Sequence, residues 1–302
     1  MLWFRNLQIY RLNPDHGMTA DSVRACLEKK PFVPCGSMDL ASAGWTAPAK
    51  HAPDELIYAR QDAVLVQLKT ETKLLPGIVV RQEAEERIRH IEEEEARKVG
   101  RKEAKEIRER VAEELLPRAF TKQGAQRAII DLQQNLVLVE SASASRAENL
   151  LADLREALGS LPTRLLQTST TPQTAMTIWL EQEAPDDFTL DADCELRFPG
   201  DDGAVARFTR QDLNADEVRK HLESGKLVTR MGMSWNERIS FQLTEKLEIK
   251  RLAMLDVLQD DLKNADADSQ EALFDGSFAL TIGELRQFIP ALIEALGGEL
   301  PA

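Results

Sequence analysis

The spacing of apolar residues changes period several times along this chain, and each change marks an element. Over residues 3–12, Phe4, Leu7, Ile9 and Tyr10 are β-formers closed by Asn13-Pro14-Asp15, which predicts a strand. Thr19 then stands where a cap belongs, with Val23, Ala25, Cys26 and Leu27 as the apolar side of a helix over residues 19–30. Residues 32–45 are rich in Gly, Ser and Pro and read as looser chain. Residues 56–75 hold two strand-like runs, the clearer at 63–68.

From residue 78 to 116 the pattern turns helical and its phase shifts midway. At 100° per residue Ala84, Ile88 and Ile91 share one face, whereas Ile107, Val111 and Leu115 fall nearly opposite. Gly100 lies at the phase break, with Arg97 and Lys98 before it as suits the negative end of a helix, and Gly is common just past one. The spacing therefore predicts a helical hairpin turning near Gly100 with its apex in solvent. One unbroken helix of about 35 residues would reach about 50 Å and is the alternative.

Beyond this segment, residues 127–140 alternate as strand with Gln134-Asn135 as a turn. Residues 143–158 form an amphipathic helix ended by Gly159, and a short helix covers 176–182. Strand-like runs at 194–198 and 204–208 flank a turn at 199–203. A helix over 214–224 leads into strands at 226–235, 239–243 and 247–252, followed by a helical stretch. The last helix, 282–296, contains Pro290 and is expected to kink there. This order reads as α+β, with open β-sheets covered by helices and a projecting charged helical hairpin. Four parts follow: an α+β part at 1–76, the charged hairpin at 77–120, an α+β segment at 121–170 packing with the first, and a C-terminal α+β subdomain at 171–302.

Composition adds few constraints. With 302 residues the chain can bury a substantial core, and 5% aromatic content leaves that core to Leu, Ile, Val and Ala. Cys26, Cys35 and Cys194 are odd in number and never paired as Cys-x-x-Cys, so they read as reduced thiols. His16, His51, His90 and His221 make no zinc spacing. No signal peptide or membrane-length apolar run is present, so the chain reads as cytosolic, and no cofactor or metal is called for. The net charge of −13 opposes indiscriminate coating of nucleic acid, yet allows binding where cations are segregated on one surface.

Catalytic motifs are scarce. Ser224-Gly225-Lys226 resembles the end of a phosphate loop, but Lys220 stands where that loop needs Gly. Glu248-Ile249-Lys250 on a strand, with Asp186 or Asp187 upstream, imitates the carboxylate–lysine set of a Mg²⁺-dependent nuclease. Glu-x-Lys also occurs at Glu28, Glu71 and Glu103, so the pattern carries little information. The aspartate pairs at 186–187, 201–202 and 260–261 suit turns and caps.

The basic residues carry more. Arg97, Arg101, Lys105 and Arg108 form a stripe flanked by Lys98 and Lys102, and Arg118 and Lys122 continue the charge past Pro117. Such groups can neutralise phosphates without reading bases. Against this, Glu83–Arg87, Glu85–Arg89, Glu93–Arg97, Glu94–Lys98 and Glu106–Arg110 have the i, i+4 order of a solvated ion-paired face. Arg101, Lys102 and Lys105 lack an acidic residue four positions earlier.

Several segments together resemble the RdgC family of recombination-associated proteins: Met1-Leu2-Trp3-Phe4-Arg5-Asn6-Leu7 with Tyr10-Arg11-Leu12, Phe32-Val33-Pro34-Cys35-Gly36-Ser37, Leu115-Leu116-Pro117-Arg118-Ala119-Phe120, Leu158-Gly159-Ser160-Leu161-Pro162 and Gly283-Glu284-Leu285. The resemblance spans essentially the whole chain. One departure is Phe208-Thr209-Arg210-Gln211-Asp212-Leu213, where a lysine-richer lead-in would be expected. The resemblance implies a non-enzymatic, nucleoid-associated protein that forms a ring-shaped homodimer. It implies binding to double- and single-stranded DNA without sequence preference, restraint of the recombinase RecA by competition for DNA, and no membrane partner. In that picture Arg97, Lys98, Arg101, Lys102, Lys105, Arg118, Lys122 and Arg210 contact phosphates and Gln211 hydrogen-bonds the DNA backbone. Leu116 and Phe120 form the dimer interface, a buried core role being the alternative for Phe120. A Mg²⁺-dependent nuclease and a protein-interaction scaffold are the competing readings.

Overall fold

The computed structural model describes residues 2–200, 203–255, 258 and 269–301. The aspartate pairs at 201–202 and 260–261, and most of the helical stretch expected after residue 252, lie outside these residues. The chain builds one open antiparallel sheet rather than several. Its strands are β1 (Leu7–Leu12), β2 (Ala41–Thr46), β3 (Ile57–Arg60), β4 (Ala63–Leu74), β5 (Phe120–Asp131), β6 (Leu136–Glu140), β7 (Thr163–Leu165), β8 (Phe188–Arg197), β9 (Val205–Phe208), β10 (Leu227–Trp235), β11 (Ile239–Thr244) and β12 (Ile249–Met254). They run in the order β2-β4-β5-β6-β1-β12-β11-β10-β8-β9, with β3 attached to β4 and β7 to β1.

The two halves of the sheet meet at β1, through the single register pair Leu7–Ile249. The last three residues of β1 use the same edge to pair with β7 instead. Arg5 and Trp3 reinforce the junction: the Leu252 N–H donates to the Arg5 carbonyl at 2.8 Å, and the Trp3 indole donates to the Leu252 carbonyl at 3.0 Å.

Strand periodicity sorts the side chains into two cores. On one face Tyr10, Val64, Val66, Ile130, Val137 and Val139 pack with α1 (Ala20–Leu27) and α4 (Ala144–Leu158). Thr19 caps α1 in a reciprocal box with Ser22, and Gly159 ends α4 at φ +76°, a conformation that favours glycine. On the other face Ile9, Leu65, Ile129 and Leu138 join the inward side of β8 and β10–β12. That core is closed by α5 (Pro172–Glu181) and α7 (Gln270–Ala295); α6 (Asp216–Glu223) lies between β9 and β10. The C-terminal strands thus bury one face, and Arg230, Ser234, Ser240, Gln242 and Lys250 are only half-buried.

Three further expectations need correction. The stretch at 32–45 is not loose throughout: β2 forms there because Gly44 lets the backbone of Phe32 pass, where a Cβ would lie 2.4 Å from the Phe32 Cα. The last helix starts at Gln270, capped by Ser269, twelve residues before the expected start at 282. It runs through Pro290, and the Arg286 carbonyl four residues earlier, which proline cannot serve, accepts instead from the Gln134 side chain at 2.8 Å. Gly100 does not end a helix. α2 (Gly77–Glu94) stops earlier, Ala96 takes the left-handed conformation at φ +49°, and Gly100 is the N-cap of α3 (Arg101–Leu115).

Candidate nucleic-acid interface

α2 and α3 pack on each other through a small apolar seam in which Ala84, Ile107 and Val111 are buried. Arg87 ties the pair together, bonding Glu83 within α2 at 3.2 Å and Glu114 of α3 at 2.7 Å. The Glu114 bond is the main reason the guanidinium is held above its ordinary range, and Arg87 in turn holds Glu114 below the usual carboxylate range. A 3₁₀ turn, Leu116–Arg118, leads from α3 into β5.

The residues expected to meet DNA fall into three places. The first is the 95–100 loop with the first turns of α3. Arg97 bonds Glu95 at 2.5 Å and Glu103 at 2.6 Å; these bonds, that to Glu103 foremost, raise its basicity and hold Glu103 low. Lys98 pairs with Glu92 at 3.0 Å, although the Val99 N–H contributes more to keeping that carboxylate low. Lys105 reaches Glu109 at 3.6 Å. The expected Glu93–Arg97 and Glu94–Lys98 pairs are replaced because the helix has already ended. Arg101 and Lys102 are exposed and have no ion-pair partner among the described residues. Both sit in the first turn of α3, where the helix dipole disfavours a cation by about 0.3–1 kcal/mol each.

The second place is the foot of the pair, about 22 Å away along α3 at 1.5 Å per residue. Arg118 and Lys122 are exposed there, again without an ion-pair partner among the described residues. Phe120 opens β5 and is 85% exposed, so a core role is excluded. It faces Leu74 across the ladder, and Leu74, Ile78 and Val79 are exposed with it. Leu116 is buried, at 6% exposure, and its carbonyl accepts from Lys73 Nζ at 3.0 Å. It therefore fixes the turn that presents Phe120 and is not itself surface.

The third place is the link from β9 to α6. Arg210 is exposed and holds a left-handed backbone at φ +55°, pinned by its N–H donating to Asp193 Oδ1 at 3.1 Å. The Gln211 N–H donates to the Ala192 carbonyl at 3.0 Å. The structure does not bring this link to the foot of the helix pair by sequence proximity; it stands at the opposite end of the strand order, beside edge strand β9.

The nuclease-like residues do not gather. Glu248 pairs with Lys250 at 2.8 Å, and Asp186 and Asp187 are exposed before β8. Among the described residues no group of three or more His, Cys, Asp or Glu side chains could hold a metal ion.

One signal missed in the sequence is the pair Glu71 and Lys73, both buried on β4. Glu71 accepts from the Cys35 N–H at 2.7 Å and from Gln123 Nε2 at 2.9 Å, and Lys73 donates to the carbonyls of Ser37 and Leu116. Together they dock the 33–39 loop against the turn below α3. Alternation alone could have flagged two charged residues on one face of an otherwise well-formed strand.

Comparison with known proteins settles the family. The family model described as "Putative exonuclease, RdgC" matches residues 2–299. This chain belongs to the RdgC family. The recombination-associated protein RdgC of Laribacter hongkongensis (strain HLHK9) is 49% identical over 301 residues, covering 100% of both chains. The RdgC proteins of Pseudomonas aeruginosa (strain LESB58) and Pseudomonas syringae pv. tomato (strain ATCC BAA-871 / DC3000) are 43% and 40% identical over 300 residues, each covering 99% of this chain and 98% of theirs. The RdgC match covers all three places described above. Among the described residues no helix is long and apolar enough to cross a membrane.

Proposed function

We propose that this protein acts in recombination as a non-enzymatic, sequence-independent DNA-binding protein, a ring-shaped homodimer that limits access of RecA to DNA at the nucleoid. The observation that carries the reading is a set of cations without carboxylate partners, Arg101, Lys102, Arg118 and Lys122, in a chain of net charge −13. Arg97 and Lys98 are neutralised by carboxylates, whereas these four keep their charge available although 51 carboxylates outnumber 38 Lys and Arg in the chain. In the first turn of α3 Arg101 and Lys102 oppose helix stability, as expected of groups kept for a ligand. The names of the relatives, recombination-associated proteins, support the process.

In this reading the α2–α3 pair is the projecting charged hairpin, and Arg97, Lys98 and Lys105 exchange carboxylate partners for phosphate when DNA arrives. Phe120, with Leu74, Ile78 and Val79, is the apolar surface that a second copy covers. A closed ring with cations inward and carboxylates outward reconciles local attraction with global repulsion.

The test is a mobility-shift series on random-sequence duplex and on single strands at rising salt, beside sedimentation of Phe120→Ser. Binding that collapses with salt, and loss of both dimer and binding in Phe120→Ser at an unchanged melting temperature, is the expected result. A salt-insensitive shift, or none, overturns it in favour of a protein-interaction scaffold. A Mg²⁺ nicking assay with Glu248→Ala as control tests the nuclease alternative, and no cleavage is expected.

A further inference from the structure

Beside the foot of the helix pair lies an open groove of about 990 Å³ between the β4–β5 ribbon and α4. Its floor is one face of the ladder, where Thr72 pairs with Lys122, Thr70 with Gly124 and Leu68 with Gln126. Its far wall includes Arg146 and Asn149, both exposed on α4.

The charges in this groove are sorted in a particular way. Its three carboxylates already have cations: Glu140 binds Arg127 at 2.7 Å, and Asp153 and Glu156 share Lys30 at 3.8 and 2.7 Å. Its two cations, Lys122 and Arg146, have no carboxylate partner among the described residues. Arg146 also stands in the first turn of α4, where a cation opposes the helix dipole. Gln126 adds a side-chain N–H₂ that is shielded from solvent and finds no acceptor among the described residues. Among the described residues no aromatic side chain lines the groove.

From this geometry we propose that the groove seats one phosphodiester strand of DNA, with Lys122 and Arg146 on phosphates and the Gln126 and Asn149 amides donating to the same backbone. This rests on the DNA-binding reading above and adds to it a place and three residues, Gln126, Arg146 and Asn149. Because base stacking on aromatic rings is what usually favours single strands, a groove without rings takes a strand by its backbone alone. It therefore serves single strands and duplexes alike and reads no sequence. Gly124 keeps the floor bare: its backbone is ordinary for an L-residue, and a Cβ there meets only the Thr70 hydroxyl, at 3.0 Å.

The experiment measures fluorescence anisotropy of labelled oligo-dT and of a random-sequence duplex against full-length protein, across a salt series. Lys122→Ala/Arg146→Ala removes both cations, Gly124→Leu fills the groove at unchanged charge, and Arg101→Ala/Lys102→Ala is the comparison at the far end of α3. Removing two phosphate contacts should flatten the plot of log affinity against log salt by about 1.8 for duplex and about 1.4 for single strands. Gly124→Leu should weaken both ligands by about tenfold or more, and the melting temperature of the charge variant should match wild type. Wild-type affinity and slope in the charge variant overturn the groove while leaving the DNA-binding reading intact. Absence of binding by the wild type overturns both. Should Gly124→Leu unfold, the charge variant decides alone.

Discussion

The loop end of the α2–α3 pair and the groove beside β5 both present cations, but they are built differently. At the loop end Arg97, Lys98 and Lys105 are tied to carboxylates of their own helix pair, and the scaffold beneath is a seam of three buried residues. In the groove it is the carboxylates that are tied, the cations are free, and the floor is an extension of the central sheet. The difference teaches that a dense basic run in sequence mixes neutralised and available charge. Arg97, Lys98 and Lys105 are paired while Arg101 and Lys102 between them are not, and in the groove Lys122 and Arg146, far apart in sequence, are left uncompensated together.

The comparison is broken most directly through the scaffolds. Val111→Asp places an unpaired carboxylate in the seam and should melt α2 and α3, seen as lost helical circular dichroism, with the unfolding midpoint of the sheet retained. If the whole protein unfolds with the pair, the two regions are not independent. Leu65→Ala, by contrast, opens a cavity in the sheet core and should lower global stability by about 2–5 kcal/mol in denaturant titration, leaving no separate helical transition.

A smaller effect sharpens the link between the regions. Hydrogen bonds from Gln123 first, and then from the Cys35 N–H, hold the Glu71 carboxyl below its ordinary value. A depressed value in the fold means that the carboxylate stabilises at neutral pH and that this contribution is lost as pH falls through the folded value. Wild type should therefore melt above Glu71→Gln at pH 7, and the gap should narrow as the pH falls below the unfolded carboxylate range of about 4.3 and close once it passes the lower folded value. Cys194, whose thiol burial and then the neighbouring Glu195 push up to about 12, should resist alkylation at pH 8 until the sheet unfolds. The smallest effect belongs to Arg97→Ala. Its ion pairs are exposed and screened by solvent, so the thermal melting midpoint should hardly move.

Much of the fold was legible because local rules coincide with the tertiary outcome. Thr19 before α1, Gly159 after α4 and the apolar run that opens β4 each state their element in a few residues. The errors came where a distant partner decides. The first turns of α7 were invisible because Ser277 and Thr281 look out of place on a buried helix face. In the fold, Ser277 Oγ accepts from the Leu2 N–H, and Thr281 Oγ1 donates to the Leu2 carbonyl. β2 was hidden because Gly44 reads as a breaker, when its lack of a side chain is what lets Phe32 cross.

By itself the sequence determined the kinds of element, the two-sided patterning of the N-terminal strands and the family resemblance, because these depend on residues close in the chain. Only the tertiary structure decided that the strands make one sheet, that Leu116 turns inward while Phe120 turns out, and which cations keep their charge available. The physical reason is range. Propensity and period act over a few residues, whereas sheet order, burial and charge compensation depend on neighbours that folding brings from far along the chain.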